Sequence, residues 1–154
     1  MAEYSLQKAI REDPKIVEAR VALIRFYLHR DQEKLAQAVL QEAHQTFPGD
    51  FRLRSEEAEW HYLKKSYDTA KRSVGLALQE NPDHVPALVL LGKIEVALGK
   101  SDSAMKAFEL AMRKNPLTTA PIMQAAGLHE ALGQKEKALE LYERVYGLLA
   151  AGLR

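Results

Sequence analysis

The chain has 154 residues, 47% of them hydrophobic, 28% charged and 7% aromatic, which suits one folded domain or one array of small units and argues against disorder. The 22 Lys and Arg residues nearly balance the 21 Asp and Glu residues, so charge gives no reason to expect nucleic acid or an anionic membrane as a partner. The absence of Cys excludes disulfides, thiolate-bound zinc and thiol nucleophiles, and it suits cytoplasm and periplasm alike.

The prolines reveal an internal repeat. Pro14, Pro48, Pro82 and Pro116 are each 34 residues apart. The position twelve residues before each of them, continued by one more period, holds alanine every time, at Ala2, Ala36, Ala70, Ala104 and Ala138. Two columns that agree in spacing indicate a true 34-residue repeat.

Each period predicts two helices. The second half carries apolar residues at i, i+4 and i+7, as in Ala104, Phe108 and Ala111, and the proline that follows cannot continue the helix. The first half has its own apolar face, as in the segment that contains Leu91 and stops at Gly99. Each period is therefore predicted to be a helical hairpin.

The segment from Ala87 to Pro116 carries the residues of a known repeat, namely Leu91-Gly92, Gly99-Lys100, Ala104, Phe108 and Ala111. It resembles the tetratricopeptide repeat, a 34-residue unit of two antiparallel helices. The resemblance implies an all-α helical-hairpin solenoid with about nine helices, wound into a right-handed superhelix. It also implies that the first helix of each unit lines a concave groove.

In chain order, the register predicts the second helix of an incomplete unit over 1–16 and then full units over 17–50, 51–84, 85–118 and 119–152. The first two full units depart from the family pattern, because Asp31 and Lys65 stand at the turn where glycine is usual. The first helix lacks its partner helix, and no polar-faced helix follows the last unit. We therefore expect a segment of a longer repeat protein or, as the alternative, a short adaptor that caps itself by pairing its ends.

Catalytic motifs are absent from the sequence, so we expect neither an enzyme nor a cofactor. No two of the five histidines are spaced i and i+4, so we expect no metal site. We interpret His61 and His129 as half-buried packing residues and Trp60 as a core residue, with ligand stacking as the alternative for Trp60. No apolar run approaches the roughly 18 residues of a membrane span, which predicts a soluble chain without membrane insertion.

The resemblance places candidate partner-binding residues on the first helices of the units. The earlier ones are Arg25, His29, Arg52, Glu56, Glu59 and Tyr62. The later ones are Val89, Leu90, Lys93, Val96 and Met123. A groove that is charged early and apolar late suits a partner segment with polar contacts followed by an aliphatic anchor. The alternative for Val89 and Leu90 is packing within the solenoid.

Some members of the family bind the C-terminal carboxylate of chaperones with lysine, arginine and asparagine side chains on these helices. The corresponding positions here are Val21, Arg25, Glu56, Pro86 and Leu90. Only Arg25 offers a positive charge, and Glu56 would repel an anion. A chaperone tail is therefore not the expected partner, and Arg25 and Arg52 are expected to face solvent.

The two ends of the array are expected to expose apolar surface, through Leu6 and Ile10 at one end and Tyr142, Tyr146 and Leu149 at the other. Two functions follow from these features. The first is a non-catalytic scaffold that binds a peptide or helix of a partner protein in the groove. The alternative is a self-assembly element, such as a homodimer, that stacks through its uncapped end helices.

Overall fold

The computed structural model describes residues 1–152, and every regular element within them is an α-helix. The nine helices of this described part are α1 (Ala2–Glu12), α2 (Val17–Leu28), α3 (Glu33–Thr46), α4 (Phe51–Leu63), α5 (Tyr67–Glu80), α6 (Val85–Ala97), α7 (Ser101–Lys114), α8 (Thr119–Ala131) and α9 (Lys135–Ala150). The predicted all-α fold of helical hairpins is confirmed for these residues.

The helix starts repeat with the period of the sequence. The first helices of the hairpins begin at Val17, Phe51, Val85 and Thr119. The second helices begin at Glu33, Tyr67, Ser101 and Lys135. Both series advance by 34 residues, and the first series coincides with the first residues of the predicted full units.

A residue with left-handed backbone joins the two helices of each hairpin. The angle φ is 56° at Asp31, 59° at Lys65, and 74° at both Gly99 and Gly133. Glycine is favoured in this region because the Cβ atom of any other L-residue crowds the backbone. The α2–α3 and α4–α5 hairpins therefore use the same left-handed turn as the later ones, at a conformational cost.

The helices group into two compact bodies, an N-terminal body of α1–α5 and a C-terminal body of α6–α9. In the N-terminal body, α2 contributes most to the core, since eight of its twelve residues are buried. Its Ile24 and Tyr27 belong to the same buried cluster as Leu40 of α3 and Leu53 of α4. By contrast, α1 has no buried residue.

In the C-terminal body, Phe108 of α7 is fully buried against α6. A Cβ atom added at Gly92 of α6 would lie only 2.2 Å from Cε1 of Phe108. The absence of a side chain at position 92 therefore makes room for the aromatic ring. Phe108 also packs with Ala104 of α7 and with Ala125 and Leu128 of α8, so one cluster joins both hairpins of this body.

The alanine column lies in the interior of the hairpins. Ala36, Ala70, Ala104 and Ala138 are buried, whereas Ala2 of α1 is exposed. Interiors packed this closely do not accept a larger side chain without backbone shifts. The column therefore marks positions where small size is required by packing.

Candidate functional site

Two groups of side chains on the first helices of the hairpins form candidate binding surfaces. The polar face belongs to α2 and α4 and consists of Arg25, His29, Arg52, Glu56, Glu59 and Tyr62. The apolar face belongs to α6 and α8 and consists of Val89, Leu90, Lys93, Val96 and Met123. Because α2 packs against α4 and α6 against α8, each face combines residues of two neighbouring hairpins.

The centre of the polar face is an ion pair between Arg25 of α2 and Glu56 of α4. Glu56 is only 3% exposed, whereas the Arg25 side chain is about half exposed. Arg25 donates from Nε at 2.7 Å, and its Nη2 lies 2.6 Å from the same carboxylate oxygen, Oε1. Burial raises the pKa of the Glu56 carboxyl, and the bonds from Arg25 offset this effect only in part.

The second charged group of the polar face is a network centred on Arg52. Its Nη2 lies 2.7 Å from Oδ2 of Asp50, and its Nη1 pairs with Glu18 of α2. Asp50 also caps α4 by accepting a hydrogen bond from the Arg52 backbone at 2.9 Å. Burial alone would raise the pKa of Asp50, but the bonds from Arg52 outweigh it and lower that pKa. Both arginines expected to meet a partner are thus already ion-paired.

The remaining members of the polar face lie nearer the ends of α2 and α4. His29 follows the last residue of α2 and is exposed. Glu59 and Tyr62 are half-buried. The ring of Tyr62 lies 5.8 Å from that of Tyr67, and burial, followed by the neighbouring Tyr67 and Glu59, raises the pKa of the Tyr62 hydroxyl. This end of the face combines a carboxylate with two aromatic rings.

The apolar face exposes two large side chains, Val96 at 44% and Met123 at 45%. Val89 and Lys93 are half-buried, and Leu90 belongs to the buried core at 3% exposure. Val89, Lys93 and Val96 follow one another at i, i+4 and i+7, so they lie on one side of α6. The burial of Leu90 favours packing as its role, while Val96 and Met123 are accessible.

The two ends of the chain differ in how far they are covered. Leu6 and Ile10 of α1 are half-buried and pack against the core of the N-terminal body. Tyr142 is half-buried, and its hydroxyl donates to Glu130 Oε2 at 2.9 Å. Tyr146 is 76% exposed, and Leu149 is exposed as well. Within the described residues, the apolar surface predicted for the ends is therefore more open on α9 than on α1.

The aromatic and histidine side chains singled out in the sequence mostly serve packing. Trp60 is half-buried against the N-terminal core, with Lys64 Nζ 5.4 Å from its ring centroid. His61 and His129 are half-buried, and Nδ1 of His129 lies 2.6 Å from Gln134 Oε1. Across residues 1–152, no three His, Asp or Glu side chains come together as ligands for a metal ion.

One buried charge was missed at the sequence level. Arg20 of α2 is 3% exposed, although it is a charged residue. The repeat places it in one column with Arg54, Leu88 and Ile122. Leu88 and Ile122 are buried, so they are the signal that this position faces inward, although Arg54 is only half-buried.

In the comparison with family profiles, the profile of the tetratricopeptide repeat matches residues 61–121. This match, together with the fold, supports assigning the repeat to the tetratricopeptide-repeat family. Proteins of this family generally act as non-enzymatic scaffolds that bind other proteins. A sequence search of curated proteins finds no match.

Solved structures share the fold of this chain. TTC0263, a thermophilic TPR protein of Thermus thermophilus, has a TM-score of 0.81 at 20% identity over 92% of this chain and 78% of its own. MamA has a TM-score of 0.72 at 16% identity over 97% of this chain and 88% of its own. PilF of Pseudomonas aeruginosa has a TM-score of 0.71 at 23% identity over 90% of this chain and 64% of its own.

Human IFIT1, solved as a dimer with m7Gppp-AAAA, has a TM-score of 0.80 at 22% identity, but this chain spans only 35% of it. At such identities the likeness concerns the fold. Because that structure contains RNA, the expectation that nucleic acid is not a partner of this chain stays a prediction. None of the helices in residues 1–152 has the length and apolar character that crossing a bilayer requires.

Proposed function

We propose that this protein is a non-catalytic scaffold that holds a peptide or a helix of a partner protein on the first helices of its hairpins. The observation that carries the proposal is the exposure of Val96 and Met123 on the apolar face. Other large apolar side chains of the same body, such as Leu117 and Leu139, are exposed too, but Val96 and Met123 lie on the first helices α6 and α8. Accessible aliphatic side chains on neighbouring helices suit the anchor residue of a docked segment.

The polar face, which lies within the N-terminal body alone, selects by charge among the segments that dock on it. Its arginines are held by acidic partners, so the face presents fixed ion pairs in place of free cations. Glu18 is the most exposed carboxylate of the network around Arg52. A partner segment that brings hydrogen-bond donors to these carboxylates is favoured, whereas an acidic segment meets like charge.

The test compares how well the partner is captured by the purified wild-type protein and by two double variants. Each double variant replaces two exposed apolar side chains by serine. Val96→Ser with Met123→Ser should abolish capture. The matched control is Leu35→Ser with Leu76→Ser, since these leucines on second helices have the same exposure, 45% and 44%. All three proteins should melt at similar temperatures, because changes at exposed positions seldom exceed about 0.5 kcal/mol. Equal capture by both double variants would contradict the proposal.

A second candidate function is self-assembly, and one observation favours it. Leu139, Tyr142, Tyr146 and Leu149 follow one another at i, i+3, i+7 and i+10 along α9, with three of the four exposed. One period earlier, Met105, Phe108 and Met112 of α7 pack against the cluster that contains Ala125 and Leu128 of α8. The equivalent stripe of α9 therefore has the character of a surface that another helix covers.

Light scattering over a wide concentration range tests this second function. If α9 mediates assembly, the measured mass should rise above 17.3 kDa with concentration. Tyr146→Glu with Leu149→Glu should restore the monomer mass, because carboxylates cannot be buried cheaply in an apolar contact. A monomer at every concentration would remove self-assembly and leave the scaffold proposal untouched.

A further inference from the structure

A cleft of about 310 Å³ opens between α1, α2 and α3, away from the polar face of α2 and α4. Its apolar lining comes from Ile10, Leu23 and Val39. Its charged lining comes from Arg11, Arg20 and Glu42, and Gln7 and Tyr27 complete it. Two guanidinium groups and one carboxylate leave the cleft with a net charge of +1.

Arg20 is the unusual member of this lining, because its side chain is only 4% exposed. Its Nη1 donates to the carbonyl oxygen of Pro14 at 2.6 Å, and its guanidinium lies 5.4 Å from the ring centroid of Phe47. Its Nη2 lies 3.6 Å from Oε1 of Glu42, which is too long for a hydrogen bond. A guanidinium carries five N–H donors, so this buried cation has capacity for a closer acceptor.

Glu42 is a poor neutralising partner for Arg20. Its side chain is 68% exposed, so its carboxylate remains largely hydrated. An ion pair at this distance between a buried and an exposed group is weak. A buried charge without a close counter-charge destabilises the folded protein. A carboxylate that enters the cleft would reduce this destabilisation.

The repeat provides an internal comparison for this cleft. A second cleft, of about 630 Å³, lies between α7 and α9. Its Met112, Arg113, Leu141 and Arg144 stand three 34-residue periods after Ile10, Arg11, Val39 and Glu42. The counterpart of Arg20 there is Ile122, which is fully buried. The C-terminal cleft thus has the same position in the repeat but lacks the buried cation.

We propose that the cleft between α1, α2 and α3 binds an acidic side chain of a partner protein. A glutamate fits best, because its carboxylate can reach Arg20 while its methylene groups contact Ile10, Leu23 and Val39. The net charge of +1 matches a single carboxylate, and Glu42 at the edge of the cleft repels a dianion such as phosphate. This site shares no residue with the proposed scaffold faces, so either proposal can fail without the other.

The test uses N-acetyl-glutamate N-methylamide as the probe and the corresponding glutamine compound as its neutral control. The readout is the NMR signal of the Arg20 Nε–H group, assigned through bonds in the wild-type protein. The glutamate probe should shift this signal saturably, and the glutamine probe should not. Equal shifts with both probes, no shift with either, or a larger response to inorganic phosphate would overturn the proposal.

Variants of the two clefts make the test specific. Glu42→Gln removes the competing carboxylate and should tighten glutamate binding about fivefold, roughly the strength of one exposed ion pair. Arg20→Met should abolish binding while circular dichroism verifies the helical fold. Arg144→Met, in the C-terminal cleft, is the control and should leave binding unchanged. Unchanged affinity in Glu42→Gln would contradict the proposal even where Arg20→Met fails to fold.

Discussion

Arg25 holds the buried carboxylate of Glu56 through two guanidinium nitrogens, Nε at 2.7 Å and Nη2 at 2.6 Å from Oε1. The pair joins α2 to α4 across two hairpins, so it contributes to the packing of neighbouring repeats as well as to the polar face. Removing the arginine leaves the carboxylate buried without its counter-charge. A charge reversal at Arg25 therefore changes stability and binding together.

The first prediction concerns this ion pair. Arg25→Ala should lower the free energy of unfolding by about 2 kcal/mol, the cost of losing a hydrogen bond to a buried charged group. Lys34→Ala, at an exposed position of α3, should change it by less than about 0.5 kcal/mol. Urea unfolding monitored by circular dichroism measures both. A loss no larger than that of the control would show that the pair contributes nothing to folding.

The second prediction concerns pH. Burial is the main reason that the pKa of Glu56 in the folded state is raised above its ordinary value of 4.5. At pH values between the ordinary pKa and the raised pKa, the folded state therefore binds more protons than the unfolded state. The contribution of Glu56 to the free energy of unfolding therefore grows as the pH falls through the raised pKa toward 4.5. The same contribution is lost as the pH rises through the raised pKa. Relative to Glu56→Gln, wild-type protein should gain stability as pH is lowered from about 7 to about 4.5. Parallel curves for the two proteins would contradict the assignment.

The third prediction concerns the turns. Lys65 has a φ of 59°, in the left-handed region that glycine adopts without steric cost. Lys65→Gly should therefore raise the free energy of unfolding by about 1 kcal/mol. Gly99 occupies the equivalent turn one period later, and Gly99→Ala should lower it by about 1 kcal/mol. Thermal melts of both variants measure the changes. Destabilisation by Lys65→Gly would mean that its side chain outweighs the backbone cost.

The fourth prediction concerns the contact between Gly92 and Phe108. Gly92→Ala should destabilise by about 3 kcal/mol, because the added Cβ overlaps a ring that is fully buried. Gly127→Ala is the control, since Gly127 also lies within a first helix and no atom lies within 4 Å of its added Cβ. That change should stabilise by up to about 1 kcal/mol through helix propensity. Adding Phe108→Leu to Gly92→Ala should recover part of the loss, and no recovery would argue against the overlap.

The helices are predicted well from the sequence because the same residue pattern recurs in every unit. An unusual residue in one unit is therefore outweighed by the pattern of the others. A column of alanines and a column of prolines in one register determine where each hairpin begins, even where Asp31 and Lys65 replace the usual glycine. The fold then imposes the left-handed turn on those residues. Tertiary packing of many equivalent positions outweighs a local preference of about 1 kcal/mol.

The burial and the ion pairs of side chains on the candidate faces cannot be predicted from the repeat period. They depend on contacts between individual side chains of neighbouring helices. Arg25 is exposed, as predicted, and Arg52 is half-buried. Both are also ion-paired, because long side chains reach a carboxylate on a neighbouring helix. Leu90 is buried although Val96 on the same helix is exposed. The burial of Arg20 does not follow from its place in the repeat, because the same column also holds Arg54, which is only half-buried.

The affinity of the isolated partner segment for the apolar face tests the central claim most directly. Calorimetry should give a Kd at least about tenfold weaker for Val96→Ser with Met123→Ser than for wild-type protein, equivalent to about 1.4 kcal/mol of lost binding energy. Leu35→Ser with Leu76→Ser, matched to them in exposure, should bind like wild type. An unchanged Kd in the first variant, or an equal loss in both, would contradict the claim that α6 and α8 carry the partner.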